Sequence, residues 1–171
     1  EEFGQTDLEK EAWVSSVLLE WGSCGKIVYS DGVPAGYALY SPPGAVPRSA
    51  AFPTAPVSPD AVLLTALMVR PEFADGGLGR MLVQAVAKDL TRRGVKAIEA
   101  FGDARPDGET TCMIPADFLL HVGFKTVRPH PRWPRLRLEL RTAITWKEDV
   151  EAALERLLGS VTISSTATAS A

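Results

Sequence analysis

Residues 61–69, Ala61-Val62-Leu63-Leu64-Thr65-Ala66-Leu67-Met68-Val69, carry almost nothing polar on either face. An extended segment of this kind suits a central strand, buried on both sides by packed layers. The chain leaves it through a turn at 70–76 and three glycines, Gly76, Gly77 and Gly79. It then enters an amphipathic helix running from Gly77 to about Arg93, with Leu78, Leu82, Ala85, Val86 and Leu90 on its inner face and Gly94 closing it. This strand–glycine–helix passage is the strongest constraint in the chain, and it calls for a mixed α/β fold.

The flanking segments agree. Thr6-Asp7-Leu8-Glu9 reads as a capping box, with Val14, Val17, Leu18 and Trp21 at helical spacing behind it and Gly22 as the stop. A helix over 7–21 is expected. Strands over 26–30 and 33–41 flank Asp31-Gly32, a hairpin signal that puts Val33, Tyr37 and Leu39 on one face. Six of the 13 prolines fall in 42–59, a density that excludes helix and central strand and leaves a long loop. Such loops are often functional. Residues 95–101 read as a strand, Pro115 opens a short helix over 115–121, and Gly123 stops it. Phe124 to Arg128 is a strand. Leu136, Leu138 and Leu140 alternate with Arg135, Arg137, Glu139 and Arg141 as a half-buried one. A second capping box, Thr145 to Glu148, opens a helix with Val150, Leu154, Leu157 and Leu158. The Ser, Thr and Ala tail, 160–171, reads as disordered, leaving one domain over 1–159.

At 46% hydrophobic the chain of 171 residues is too apolar for wholesale disorder, and a net charge of −3 argues against nucleic-acid binding through bulk charge. Two cysteines, Cys24 and Cys112, and two histidines, His121 and His130, form neither a disulfide framework nor a metal spacing. No metal is expected. No apolar run reaches the ~20 residues of a membrane span, and no leader is evident. A reducing cytoplasm is the expected compartment. The chain opens on Glu1 rather than Met, so the expectation is that it begins inside a longer natural sequence.

A strand that ends in glycines and a helix start brings backbone N–H groups and a partial positive charge to one place, which suits a pyrophosphate. Arg80 adds a full charge. A Walker loop is excluded because no Gly-Lys-Ser/Thr follows. A dinucleotide fingerprint fits poorly, since Met81-Leu82 stand where a third small residue belongs.

The segment Met68-Val69-Arg70-Pro71 followed by Ala74-Asp75-Gly76-Gly77-Leu78-Gly79 resembles the acyl-CoA motif of the GNAT superfamily of N-acetyltransferases. That motif reads Ala-Val-x-Pro, then Arg/Gln-x-x-Gly-x-Gly/Ala. A second signature of the family, a short helix ending in Leu-Gly-Phe, is matched by Phe118-Leu119-Leu120-His121-Val122-Gly123-Phe124. The order of elements matches from residue 7 to 141. The resemblance implies one mixed, mostly antiparallel sheet with helices on both faces, splayed between two parallel strands, here 61–69 and 95–101, with acetyl-CoA in the V as cosubstrate. The usual opening strand and one further helix have no counterpart before residue 7. It assigns the coenzyme to Leu67, Met68, Val69, Asp75, Gly76, Gly77, Leu78, Gly79 and Arg80, with the Val69 N–H at a strand bulge polarising the carbonyl. Two positions depart: Ala74 replaces the usual Arg or Gln, and Leu119 occupies the place of the frequent general-acid tyrosine.

For the base that deprotonates an amine, Glu99 and Asp103 are the leading candidates, with Asp117 and His121 behind them. Cys112 is better read as a small thiol than as a nucleophile. Arg48, Phe52 and Ser58 of the proline segment, and the stretch Arg128-Pro129-His130-Pro131-Arg132-Trp133-Pro134-Arg135, border the acceptor side. The expected activity is direct acetyl transfer to an amine of a small molecule or protein, the acidic balance leaning toward basic acceptors. The alternative is an acyl-CoA-binding sensor without turnover. The C-terminal amphipathic helix packs on its own sheet or on a second copy as a homodimer.

Overall fold

The computed structural model describes residues 2–105 and 113–140. The expected helix over 145–158, the tail and Cys112 lie outside the described residues. Helix α1 spans Glu2–Glu20, strand β1 Gly25–Ser30, β2 Val33–Ser41, β3 Ala61–Val69 and helix α2 Leu78–Arg92. They are followed by β4 Ala97–Asp103, β5 Ile114–Pro115, α3 Ala116–His121, β6 Lys125–Arg128 and β7 Arg135–Glu139.

The sheet runs β1-β2-β3-β4-β7-β6, with β5 added to the end of β4. The β1–β2 hairpin turns on Asp31 at φ 49° and Gly32 at φ 79°, two left-handed residues that match the twist of the strands. Among the described residues β3 with β4 and β4 with β5 are parallel, and the other pairs are antiparallel. This is the expected mixed sheet.

Each face has its own cover. Helix α2 buries Leu82, Val83, Val86 and Leu90 against Ala38, Tyr40, Val62 and Leu64, and α3 adds Leu119 to the same core. The opposite face carries α1 and the proline segment. Val57 and Phe52 close over Ala61, Leu63, Ala97 and Phe101 there. Trp13 of α1 donates its indole N–H to the carbonyl of Ala45, tying helix to segment at 2.7 Å. Within 42–59, Pro43–Ala45 and Pro47–Ala51 form short 3-10 turns, which need few N–H donors and so tolerate proline.

Several bounds move. Helix α1 starts at Glu2, so Thr6 lies inside the helix and does not cap its beginning. Strand β4 starts two residues later than expected: after Gly94 at φ 77°, the Val95 N–H still closes the end of α2 on Leu90. It also runs to Asp103, because the Gly102 and Ala104 N–H groups bond to Pro134 and Arg132 on the approach to β7. The arginine face of β7 is not solvated. Arg135 is buried and Arg137 half-buried, beneath residues 57–60.

Candidate active site

Strands β3 and β4 pair only through Ala61↔Ala97, Val62↔Ile98 and Leu63↔Glu99. Beyond Leu63 they separate, and β5 joins β4 instead at Gly102↔Ile114. Backbone polar groups alternate between the two edges of a strand. The Arg70 N–H donates to Ala35 on β2 at 2.8 Å, so Met68, two residues back, also faces β2. The N–H and C=O groups of Leu67 and Val69 therefore turn to the opposite edge, where β4 has already left. The expected bulge at Val69 is corrected. The register skips at Thr65, between Leu39↔Ala66 and Tyr40↔Leu64, and the Thr65 hydroxyl bonds the Leu39 carbonyl at 3.0 Å.

The same strand delivers the chain to the start of α2. Residues Pro71–Gly76 form a 3-10 turn, and Gly77 at φ 69° sets the N-cap. The first helical bond, Met81 N–H to Gly77 O, leaves the N–H groups of Leu78, Gly79 and Arg80 without helical acceptors. Asp75, Gly76 and Gly77 are exposed at this turn. Gly77 and Gly79 differ in their surroundings. A Cβ on Gly77 would meet no protein atom within 4 Å, so no protein group fills its open side. A Cβ on Gly79 would lie 2.9 Å from the Phe118 ring, so Gly79 serves the packing of α2 on α3. Arg80 reaches across to the His121 carbonyl at the end of α3, at 3.3 Å.

On the other face, Glu99, Phe101 and Asp103 alternate along β4. Glu99 is wholly buried and takes guanidinium N–H bonds from Arg135 and, at 3.1 Å, from Arg137. The Ser58 N–H donates to it at 3.1 Å, and Arg137 also holds Asp60 and Glu139. Burial alone pushes the Glu99 carboxyl up; hydrogen bonds from Ser58, Arg137 and Arg135 outweigh it and hold the group below its ordinary value. A carboxylate shared by two guanidiniums is a poor proton acceptor. These contacts make Glu99, expected as a leading base, a strut between the proline segment, β4 and β7. Ser58 belongs to the same strut.

Asp103 is 1% exposed at the end of β4 and accepts the Arg105 N–H at 2.9 Å. Between it and Glu99, Phe101 stacks on Phe52 with ring centroids 4.3 Å apart, and Trp133 meets Phe52 edge-on at 6.0 Å. Thr54 donates to the Trp133 carbonyl, and His130 Nδ1 accepts the N–H groups of Arg132 and Trp133. The basic-aromatic connection is thus an ordered wall. Asp117 and His121 are exposed on α3, whereas Leu119 is fully buried in the core. Among the described residues no three His, Cys, Asp or Glu side chains gather to hold a metal ion.

A cleft of about 100 Å³ opens where β3 leaves β4, lined by Leu63, Leu64 and Thr65 on one side and Phe52, Phe101 and Met113 on the other, with Val46, Arg48 and Ser49 at its margin. A larger apolar groove, about 540 Å³, lies between Val14 and Leu18 of α1 and Ile27, Tyr37, Leu39 and Met68 of the sheet. It is bigger but lies off the divergence of β3 from β4, so the smaller cleft is the better candidate for the reaction site.

The sequence matches the acetyltransferase (GNAT) family over residues 1–110. The chain belongs to the GNAT family of acetyltransferases. Solved structures agree on the fold. An acetyltransferase is 17% identical, with 82% of each chain covered and a TM-score of 0.59. An N-acetyltransferase from Staphylococcus aureus Mu50 is 13% identical, covering 77% of this chain and 76% of that one at a TM-score of 0.54. The PaiA N-acetyltransferase from Thermoplasma acidophilum, in complex with coenzyme A, is 12% identical, with 75% and 76% covered and a TM-score of 0.51. Comparison with curated protein sequences gives no match. Among the described residues no helix of this GNAT chain is long and apolar enough to cross a membrane.

The struts Arg135 and Arg137 escaped sequence reasoning because alternation with leucine reads as a wet face. The available signal was Glu99 itself, a carboxylate in an apolar strand that requires a counter-charge.

Proposed function

We propose that this GNAT protein transfers an acetyl group from acetyl-CoA to a primary amine by direct attack. The observation that carries the reading is the divergence of β3 from β4 after Leu63, with the Leu67 and Val69 backbone facing the gap and leading to the unpaired N–H groups of α2. The diphosphate would take the N–H groups of Leu78, Gly79 and Arg80 behind the exposed Gly77, with Asp75 and Gly76 at the rim. The pantetheine arm would lie along Leu67, Met68 and Val69.

The neutral amine nitrogen attacks the thioester carbon, and a main-chain N–H facing the gap, Leu67 or Val69, stabilises the developing oxyanion. The C–S bond breaks, the CoA thiolate departs and is protonated, and the nitrogen gives up one proton. Asp103 is the carboxylate assigned to receive that proton, directly or through water. Leu119 supplies no acid. A thiol ionises near pH 8.5, so its thiolate leaves without the assistance an amine would need.

The buried Leu119 also supports a second reading, an acyl-CoA-binding protein without turnover. Calorimetry with acetyl-CoA, followed by thiol release across an amine panel, separates the two. Binding with thiol release supports transfer, binding without it supports the sensor, and absence of binding refutes both.

A further inference from the structure

We propose that the acceptor is a small amine that also carries a carboxylate, an amino-acid-like molecule with a short apolar body, and that Arg48 reads the carboxylate. This rests on the acetyl-transfer reading and adds the chemistry of the second substrate. Size comes first. A cleft of about 100 Å³ admits a side chain of roughly leucine or single-ring volume. Its walls are the stacked Phe52–Phe101 pair with Met113, Leu63 and Val46, which offer an apolar body nothing to hydrogen-bond.

Charge decides the rest. Among the described residues two guanidiniums near the site are committed: Arg135 to Glu99, and Arg137 to Glu99, Asp60 and Glu139. Arg48 lines the cleft, is exposed, and has no ion pair among the described residues. Among the described residues no carboxylate lines the cleft, and Asp103 lies beyond its lining at the end of β4. A polyamine entering here would set its second ammonium against Arg48. A carboxylate would find a planar guanidinium suited to two parallel hydrogen bonds, with the Ser49 hydroxyl beside it. The net charge of −3 pointed toward basic acceptors. Among the described residues the one charged side chain lining the cleft is Arg48, and a substrate responds to the charges nearest it more than to the net charge of the chain.

The test uses the whole chain. Acetyl-CoA binding is first measured by calorimetry. Thiol release is then measured with α-, β- and γ-amino acids bearing leucine- or phenylalanine-sized bodies, each against its decarboxylated amine, and with spermidine. The best carboxylated acceptor should exceed its decarboxylated partner at least tenfold in kcat/KM, and Arg48→Ala should remove that difference through KM. Arg48→Glu should reverse it. Equal or better use of the decarboxylated amine or spermidine, or an Arg48→Ala effect equal on both partners, overturns the proposal. Acetyl-CoA binding with no thiol release from any amino acid overturns it too, and favours the sensor. If acetyl-CoA does not bind, the acetyl-transfer reading itself has failed.

Discussion

Replacing Glu99 by Gln tests whether this carboxylate is a strut or a base. Its carboxylate is inaccessible to water and faces two arginines, of which Arg135 is itself buried. Gln keeps an acceptor for the Ser58 N–H but leaves the guanidiniums short of one negative charge. Removing one partner of a buried pair costs roughly 3–5 kcal/mol; the retained amide puts this case near 3. At roughly 2–4 °C per kcal/mol for a chain of this size, the midpoint of thermal unfolding should fall by about 6–12 °C at pH 7. The pH dependence has a definite sign. The folded-state pKa lies below the ordinary glutamate value, so the stabilisation is complete above about pH 4.3 and drains away as pH falls through the folded value. Scanning calorimetry of both proteins from pH 7 downward should show the gap narrowing in acid. A midpoint within 1 °C of the parent at pH 7, or a gap independent of pH, would refute the strut. The kinetic arm is separate: the acidic limb of kcat/KM should survive in Glu99→Gln, and its disappearance would restore Glu99 as the base.

Gly77→Val should cut acetyl-CoA affinity at least tenfold by calorimetry. The φ of 69° strains a β-branched residue by about 1–2 kcal/mol and its side chain enters the ligand's space; unchanged affinity would remove α2 from the diphosphate site. Gly79→Ala should lower stability by about 1–3 kcal/mol in urea titration, because its methyl meets the Phe118 ring at 2.9 Å; a neutral result would show that the ring swings aside freely. Asp103→Asn should reduce kcat by about a hundredfold or more while leaving acetyl-CoA binding intact, and a loss under threefold would dismiss it as the base.

Local signals read well wherever the cause of the structure was local. Asp31-Gly32 adopts its turn because two adjacent residues tolerate left-handed dihedrals, and no distant group is needed. Gly77 ends the 3-10 turn and starts α2 for the same reason. The reading of Thr6 as a cap failed because capping depends on where the helix begins, and α1 begins at Glu2. The bulge was placed four residues late because it arises from the pairing of β3 with β2, which only a register can show.

The candidate site divides along the same line. The coenzyme half is a continuous run, residues 67–80, in which strand, glycines and helix start succeed one another, so its chemistry follows from neighbours along the chain. The acceptor half is assembled from residues 46–65, 99–103, 113 and 133–137. Whether Glu99 is a base or a strut depends on Arg135 and Arg137, 36 and 38 positions away, arriving on the same face of the sheet. Burial removes the water that would otherwise screen those charges, and that makes the partners, rather than the residue type, decide what the carboxylate does. The sequence alone determined the α/β class, the strand-to-helix passage and the family. Tertiary packing determined which arginines were consumed in ion pairs and left Arg48 to face the cleft.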